Sequence, residues 1–219
     1  MKLLERVHEF MKKIGFSDQD IESYDSSSVY LAEEIALYAH HGQRRVNGAG
    51  YFSHPLNVLN NYRKLVGIVE NDYFCLDVDL LYACEIPYDG VQEVCLLHDV
   101  VEDADITIDE IREAFDDLGL GSYFDARIKT ALTLLTHDSS QDYHDYITNV
   151  LTDPVASMVK FMDMSDNMNP STLDKLGDKE VERICKYAVY CKAINEKWHF
   201  LENSIKYFML KNQKSKKAD

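Results

Sequence analysis

Apolar residues recur along this chain at intervals of three and four. Leu3, Leu4, Val7, Phe10, Met11 and Ile14 form one stripe over residues 2–14, the spacing of an amphipathic helix. The run SSSVYLAEEIALYAHHGQ sets serines ahead of a helical pattern and predicts a capped helix ending near Gly42. RRVNGAGYFS reads as a loop with Asn47-Gly48 as its turn, and Pro55 suits the first turn of a helix through LNVLNNYRKLV. Residues 68–90 are acidic, aromatic and less regular, so a loop and a short helix are expected there. A helix carrying residues 95–103 follows. Asp105-Ile106-Thr107 and Asp109 then give a break and a fresh cap for IDEIREAFDDL. Further helices are expected at about 123–136, 142–152 and 154–168, and a long one at about 178–210, before a solvated lysine-rich tail. No strand pattern, repeat or linker is visible. The expected fold is all-α, a single helical bundle over residues 1–219.

Composition narrows the picture. A chain of 219 residues is long enough for one domain with a sizeable core, and 46% apolar residues with only 4 prolines and 9 glycines fit a compact helical protein. No apolar run reaches the roughly 18 residues of a membrane span, and the charged MKLLERVHEFMKKIGF makes a poor signal peptide. The five cysteines include no C-x-x-C pair, as expected of reduced thiols in a cytoplasmic protein. A formal charge of −15 argues against a nucleic-acid binder. It leaves room for a small anionic substrate, because a metal and a few cations can reverse the potential inside one cleft.

The chemistry concentrates in CLLHDVVEDADIT, residues 95–107, where an apolar run ends in His98-Asp99 and then Glu102-Asp103. On a helix, residues four apart share a face, so His98 aligns with Glu102 and Asp99 with Asp103. A neighbouring imidazole and carboxylate can share an ion seated over the ridge between them. Such a mixed N/O pair suits Mn2+, Fe2+ or Zn2+ better than Ca2+. Glu102 and Asp103, one turn on, are then positioned to handle a water. Further ligands are sought in His54, fixed just before Pro55, and in Asp163, on an otherwise apolar helix where a carboxylate is costly unless paired or bound to a cation. Asp163 and Asn167 share a face, so one can ligate while the other touches substrate. Arg44, Arg45, Lys160 and Lys129 are the candidate anion partners. Taken singly, each feature has an ordinary reading: His54 as a packed or capping residue, Glu102-Asp103 as a solvated helix end, Lys160 and Asp163 as an i, i+3 ion pair.

The order His, His-Asp, Asp resembles that of the HD superfamily of metal-dependent phosphohydrolases. AHHGQRRVNGAGYFSHPLNV, LLHDVVEDADIT and ALTLLTHDSSQDYHDYITNVLTDPVASMVKFMDMSDNM are similar to strings of its RelA/SpoT-type branch, which includes free-standing small alarmone hydrolases. The resemblance covers about residues 29–173 and implies a single HD-domain bundle with the helix at about 178–210 beyond it. It implies His54, His98, Asp99 and Asp163 as metal ligands, most simply for Mn2+, with Glu102 and Asp103 activating water. Arg45 and Asn167 would contact the nucleotide. The implied activity is 3′-pyrophosphate hydrolysis of (p)ppGpp or a relative. Another HD-type nucleotidase, or a nucleotide-binding module with little turnover, are the alternatives. No room follows residue 173 for a synthetase half. The chain departs from the branch at Val46 (usually lysine), Gly50 (proline) and Ala104 (threonine), in a longer segment between His54 and His98, and in NPSTL after Asn167.

Overall fold

The computed structural model describes residues 1–25, 27–68 and 77–218, with side chains to residue 214. The expected loop after residue 68 thus falls largely outside the described residues. Among them the fold is all helical, with one isolated bridge between Arg44 and Gly50.

The N-terminal stripe forms α1 (Leu3–Lys13), burying Leu3, Val7 and Met11. A short α2 (Asp18–Tyr24), not expected from the pattern, follows because Ser17 and Asp20 close a capping box around its first turn. α3 (Ser28–Ala39) and α4 (Ser53–Leu65) flank the glycine-rich loop as expected. α5 (Val78–Ala83) is the short helix of the acidic segment.

α6 (Val91–Leu97) is buried along its entire length. It starts at Gly90, held at φ +79°, where an added Cβ would lie 2.6 Å from the Arg127 carbonyl oxygen. Only glycine fits that approach. The helix expected over 95–103 is in fact two. His98 and Asp99 form a tight turn, and α7 (Val100–Asp103) restarts after Asp99 at φ −96°, ψ −8°. α8 (Ile108–Asp117) begins at the Thr107–Glu110 capping box. The helix expected over 123–136 divides into α9 (Gly121–Arg127) and α10 (Lys129–Leu135) about Ile128, whose φ of −113° departs from the helical value.

α11 (Tyr143–Val150) and α12 (Pro154–Asn167) match expectation, the latter started by Pro154 and the Asp153 cap on the Ala156 amide. A 3-10 turn at Pro170–Thr172 leads to α13 (Asp178–Trp198) and α14 (Phe200–Ala218). The long helix expected over 178–210 is therefore broken, at His199, which adopts the left-handed conformation at φ +54°. Phe200 explains the break: it is fully buried and stacks on Trp198, whose Nε1–H donates to Ser157 Oγ at 2.9 Å. Burying a phenylalanine contributes about 1.5–3 kcal/mol, enough to offset the roughly 1–2 kcal/mol of a left-handed non-glycine residue.

One apolar cluster runs through the described residues from Leu3 to Tyr207. At its centre α12 packs against α4, α6 and α13, and α6 packs against α3 and α4. These three inner helices, α4, α6 and α12, bring the motif residues together.

Candidate metal centre and its arginine-lined cavity

His54 occupies the first turn of α4, His98 and Asp99 the turn between α6 and α7, and Asp163 the buried face of α12. They converge. His54 Nε2 lies 3.1 Å from Asp163 Oδ1 and 3.4 Å from Asp99 Oδ2. His98 Nε2 lies 3.2 Å from Asp99 Oδ1 and 3.9 Å from Asp163 Oδ1. Ligand atoms of His54, His98 and Asp163 all fall within 4.8 Å of one another.

Both imidazoles are oriented from behind. His98 Nδ1–H donates to the Cys95 carbonyl at 2.9 Å, and His54 Nδ1–H donates to Asp166 Oδ2 at 2.8 Å. Each turns its Nε2 towards the carboxylates, the usual way a ligating histidine is held. His98 Nε2 is buried without a hydrogen-bond partner. An orphaned buried acceptor among carboxylates is costly, and a cation satisfies all of them at once. The residues present therefore fit a divalent metal ion.

Asp166 was not singled out from the sequence, yet it organises the wall of the site. Besides His54 it accepts from Arg45 Nη1 at 2.7 Å and Asn57 Nδ2 at 3.1 Å, and it is only 3% exposed. Burial opposes its ionisation, but His54 and Arg45 outweigh this and hold its pKa below the ordinary value. Asp163 behaves alike: burial raises its pKa, and Lys160, His54 and His98 depress it further than burial raises it. Tyr51 donates to Asp99 Oδ2 at 2.8 Å and packs at a tilt against His40, with ring centroids 4.8 Å apart.

Glu102 and Asp103 sit on the exposed side of α7, one turn past Asp99. Glu102 Oε1 accepts the His137 backbone N–H. Desolvation raises the Glu102 pKa, helped by Asp99 and Asp103, against the opposing pull of that amide and of Lys160. A carboxylate so placed is a stronger base than usual.

The expected anion partners divide. Arg45 is nearly buried and committed to Asp166, with Nη2 3.4 Å from Asn167 Oδ1. Lys160 pairs with Asp163 Oδ2 at 2.9 Å, so its charge is neutralised inside the site. Asn167 donates to Asp163 Oδ1 at 2.6 Å. Arg44 is exposed and donates to the Gly48 carbonyl. Lys129 lines a separate groove with Asp105 and Asp109. Arg44, Arg45, Tyr51, His54 and Asn167 nevertheless share the wall of one cavity of about 230 Å³, joined there by Arg183 of α13. Nothing in the helical spacing of RICKYA marks Arg183. Packing against α12 brings α13, and with it this guanidinium, to the cavity.

No family model matches the chain. Over 184 residues, 80% of this chain, it is 27% identical to the guanosine-3′,5′-bis(diphosphate) 3′-pyrophosphohydrolase of Aquifex aeolicus (strain VF5), of whose length it spans 23%. A solved structure, that of a metazoan ortholog of SpoT described as hydrolysing ppGpp, superposes with a TM-score of 0.51 at 20% identity, covering 84% of this chain and 96% of that one. The motif resemblance to the RelA/SpoT-type branch is thus matched by overall sequence similarity and by the all-α fold. Among the described residues no helix is long and apolar enough to cross a membrane.

Proposed function

We propose that this chain is a metal-dependent phosphohydrolase that removes the 3′-pyrophosphate of (p)ppGpp or a closely related nucleotide. The observation that carries the reading is the convergence of two oriented imidazoles with Asp99 and Asp163 beside a cavity lined by three arginines. The activities named for the Aquifex relative and for the metazoan SpoT ortholog support the choice of substrate.

His54, His98, Asp99 and Asp163 would hold the ion, Mn2+ by preference, since mixed imidazole and carboxylate donors suit it. A bound ion would lower the pKa of a water and neutralise phosphoryl charge. Glu102, which faces solvent one turn past Asp99, would take up the proton of the attacking water, and Asp103 would orient that water. Arg44 and Arg183 contact the phosphate oxygens. Arg45, held by Asp166, and Asn167, held by Asp163, fix the direction of the nucleotide at the cavity wall. Val46 is 73% exposed in the wall of this cavity, where a lysine contact to the nucleotide is replaced by an apolar surface. The described residues share one core and act as one catalytic domain, and the free Cys84, Cys95, Cys185 and Cys191 accord with a cytoplasmic setting.

Incubation of the purified protein with ppGpp and Mn2+ should release GDP and pyrophosphate, and a chelator should abolish the reaction. Orthophosphate release from nucleoside monophosphates, with ppGpp left intact, would replace this reading by a nucleotidase. Stoichiometric ppGpp binding without turnover would replace it by a binding module.

A further inference from the structure

A second set of ligand-type side chains lies apart from the first. His8 of α1, Asp25 at the end of α2 and Glu34 of α3 each offer one ligand atom, and these atoms lie within 4.8 Å of one another. His8 Nε2 and Asp25 Oδ1 are 3.1 Å apart. Glu34 has no exposed surface, and neither of its carboxylate oxygens has a hydrogen-bond partner.

Glu34 is the anomaly. It faces inward from a helix whose other buried residues are Leu31, Ala32, Ile35 and Ala36. Glutamate is almost never fully buried unless paired. No cation pairs with it among the described residues, and its charged neighbours, Asp25 and Glu33, are both acidic. Burial, with those two neighbours, pushes its pKa up to about 8. A proton on Glu34 relieves the charge but leaves both buried oxygens without a hydrogen-bond partner. A cation shared with His8 and Asp25 gives the Glu34 carboxylate the partner it lacks.

We propose that His8, Asp25 and Glu34 form a second divalent-cation site, separate from the centre at His54, His98, Asp99 and Asp163. One imidazole and two carboxylates match the donor preferences of Zn2+ and Mn2+. Ligands about 2.0–2.2 Å from a tetrahedral ion stand roughly 3.3–3.6 Å apart, and His8 Nε2 and Asp25 Oδ1, 3.1 Å apart, need to separate by only a few tenths of an ångström. The ligand atom of Glu34 lies within 4.8 Å of both. The His8 and Asp25 side chains are 25% and 20% exposed, which leaves a route for the ion and a position for water. The bound ion clamps α1 and α2 onto α3. The C-terminal end of α3 leads to His40 and the loop bearing Arg44 and Arg45, so the clamp steadies the approach to the first site without contacting substrate.

The test is metal counting on the whole chain. The protein, stripped by chelation and dialysed, is titrated with Zn2+ by calorimetry, and bound zinc is measured after desalting. His8→Ala and Glu34→Gln should each bind one equivalent fewer than the parent. Because Glu34→Gln alters a buried position, His8→Ala at a partly exposed one serves as the independent variant, with circular dichroism confirming the fold of both. In an Asp163→Asn background, which disables the first centre, Zn2+ should still raise Tm, and adding His8→Ala should remove that rise. Parental zinc stoichiometry in His8→Ala, or no zinc-dependent rise in Asp163→Asn, would overturn the second site. Neither result bears on whether the first centre hydrolyses a nucleotide.

Discussion

Asp166 touches no substrate in the proposed mechanism, yet its replacement should impair the site through His54. Its carboxylate accepts from His54 Nδ1, Arg45 Nη1 and Asn57 Nδ2. Asp166→Asn preserves shape but turns one oxygen into a donor, so at least one of the three partners is left unsatisfied. Arg45, with its side chain 9% exposed, then carries a buried charge without a counter-ion. Breaking a buried pair in this way costs about 3–5 kcal/mol. Some of that is recovered by the remaining amide oxygen, so a loss near 3 kcal/mol is expected in urea unfolding without metal. Removing a partner that orients a ligating histidine lowers metal affinity by about 10–100-fold, equivalent to roughly 1.4–2.8 kcal/mol. Stabilisation by a fixed excess of Mn2+ should shrink by the same amount, since it follows RT ln(1 + [L]/Kd). Calorimetric Mn2+ titration and paired urea curves, with and without Mn2+, measure both effects. A variant with parental Mn2+ affinity and only the metal-free stability loss would show that Asp166 holds Arg45 but does not orient a ligand.

Glu102→Gln should retain Mn2+ binding while lowering ppGpp turnover by about 10² or more, and a parental rate would remove Glu102 from proton transfer. Glu110 closes the cap of α8 by accepting from the Thr107 amide at 2.9 Å, and Arg6 reinforces it. That backbone hydrogen bond, ahead of the Arg6 charge, lowers its pKa. Its stabilisation is therefore present above the unfolded-state carboxylate pKa and is lost as pH falls through the depressed folded value. Glu110→Gln should cost about 0.5–1 kcal/mol at pH 7 and less at pH 3, with an equal cost at both pH values counting against the ionised cap. Among the four described cysteines, Cys185 is exposed, whereas burial raises the thiol pKa of Cys95 and pushes that of Cys191 up to about 11. Iodoacetamide at pH 7.5 should label Cys185 first, as peptide mass mapping would read, and early labelling of Cys95 would contradict its burial.

The sequence alone determined the helical architecture and the identity of the converging residues. Periodicity with capping signals is local, and the His, His-Asp, Asp order survives in linear text. Local signals also placed α1, α3, α4, α8, α11 and α12 close to where they lie. Tertiary structure decided the breaks. Asp99 leaves helical geometry while its carboxylate meets Tyr51 and the two histidines, and His199 turns left-handed because Phe200 finds a buried place against Trp198. It also decided which charges are available. Arg45 looked like a free cation in the chain, but tertiary packing commits it to Asp166, whereas the Lys160–Asp163 pair is local to α12 and legible in the i, i+3 spacing. Asp166 and Arg183 carry no motif of their own, and His8, Asp25 and Glu34 lie in three separate helical patterns. Their meetings depend on helix crossings that no residue spacing encodes. A buried charge acquires its meaning only from what the rest of the fold places beside it.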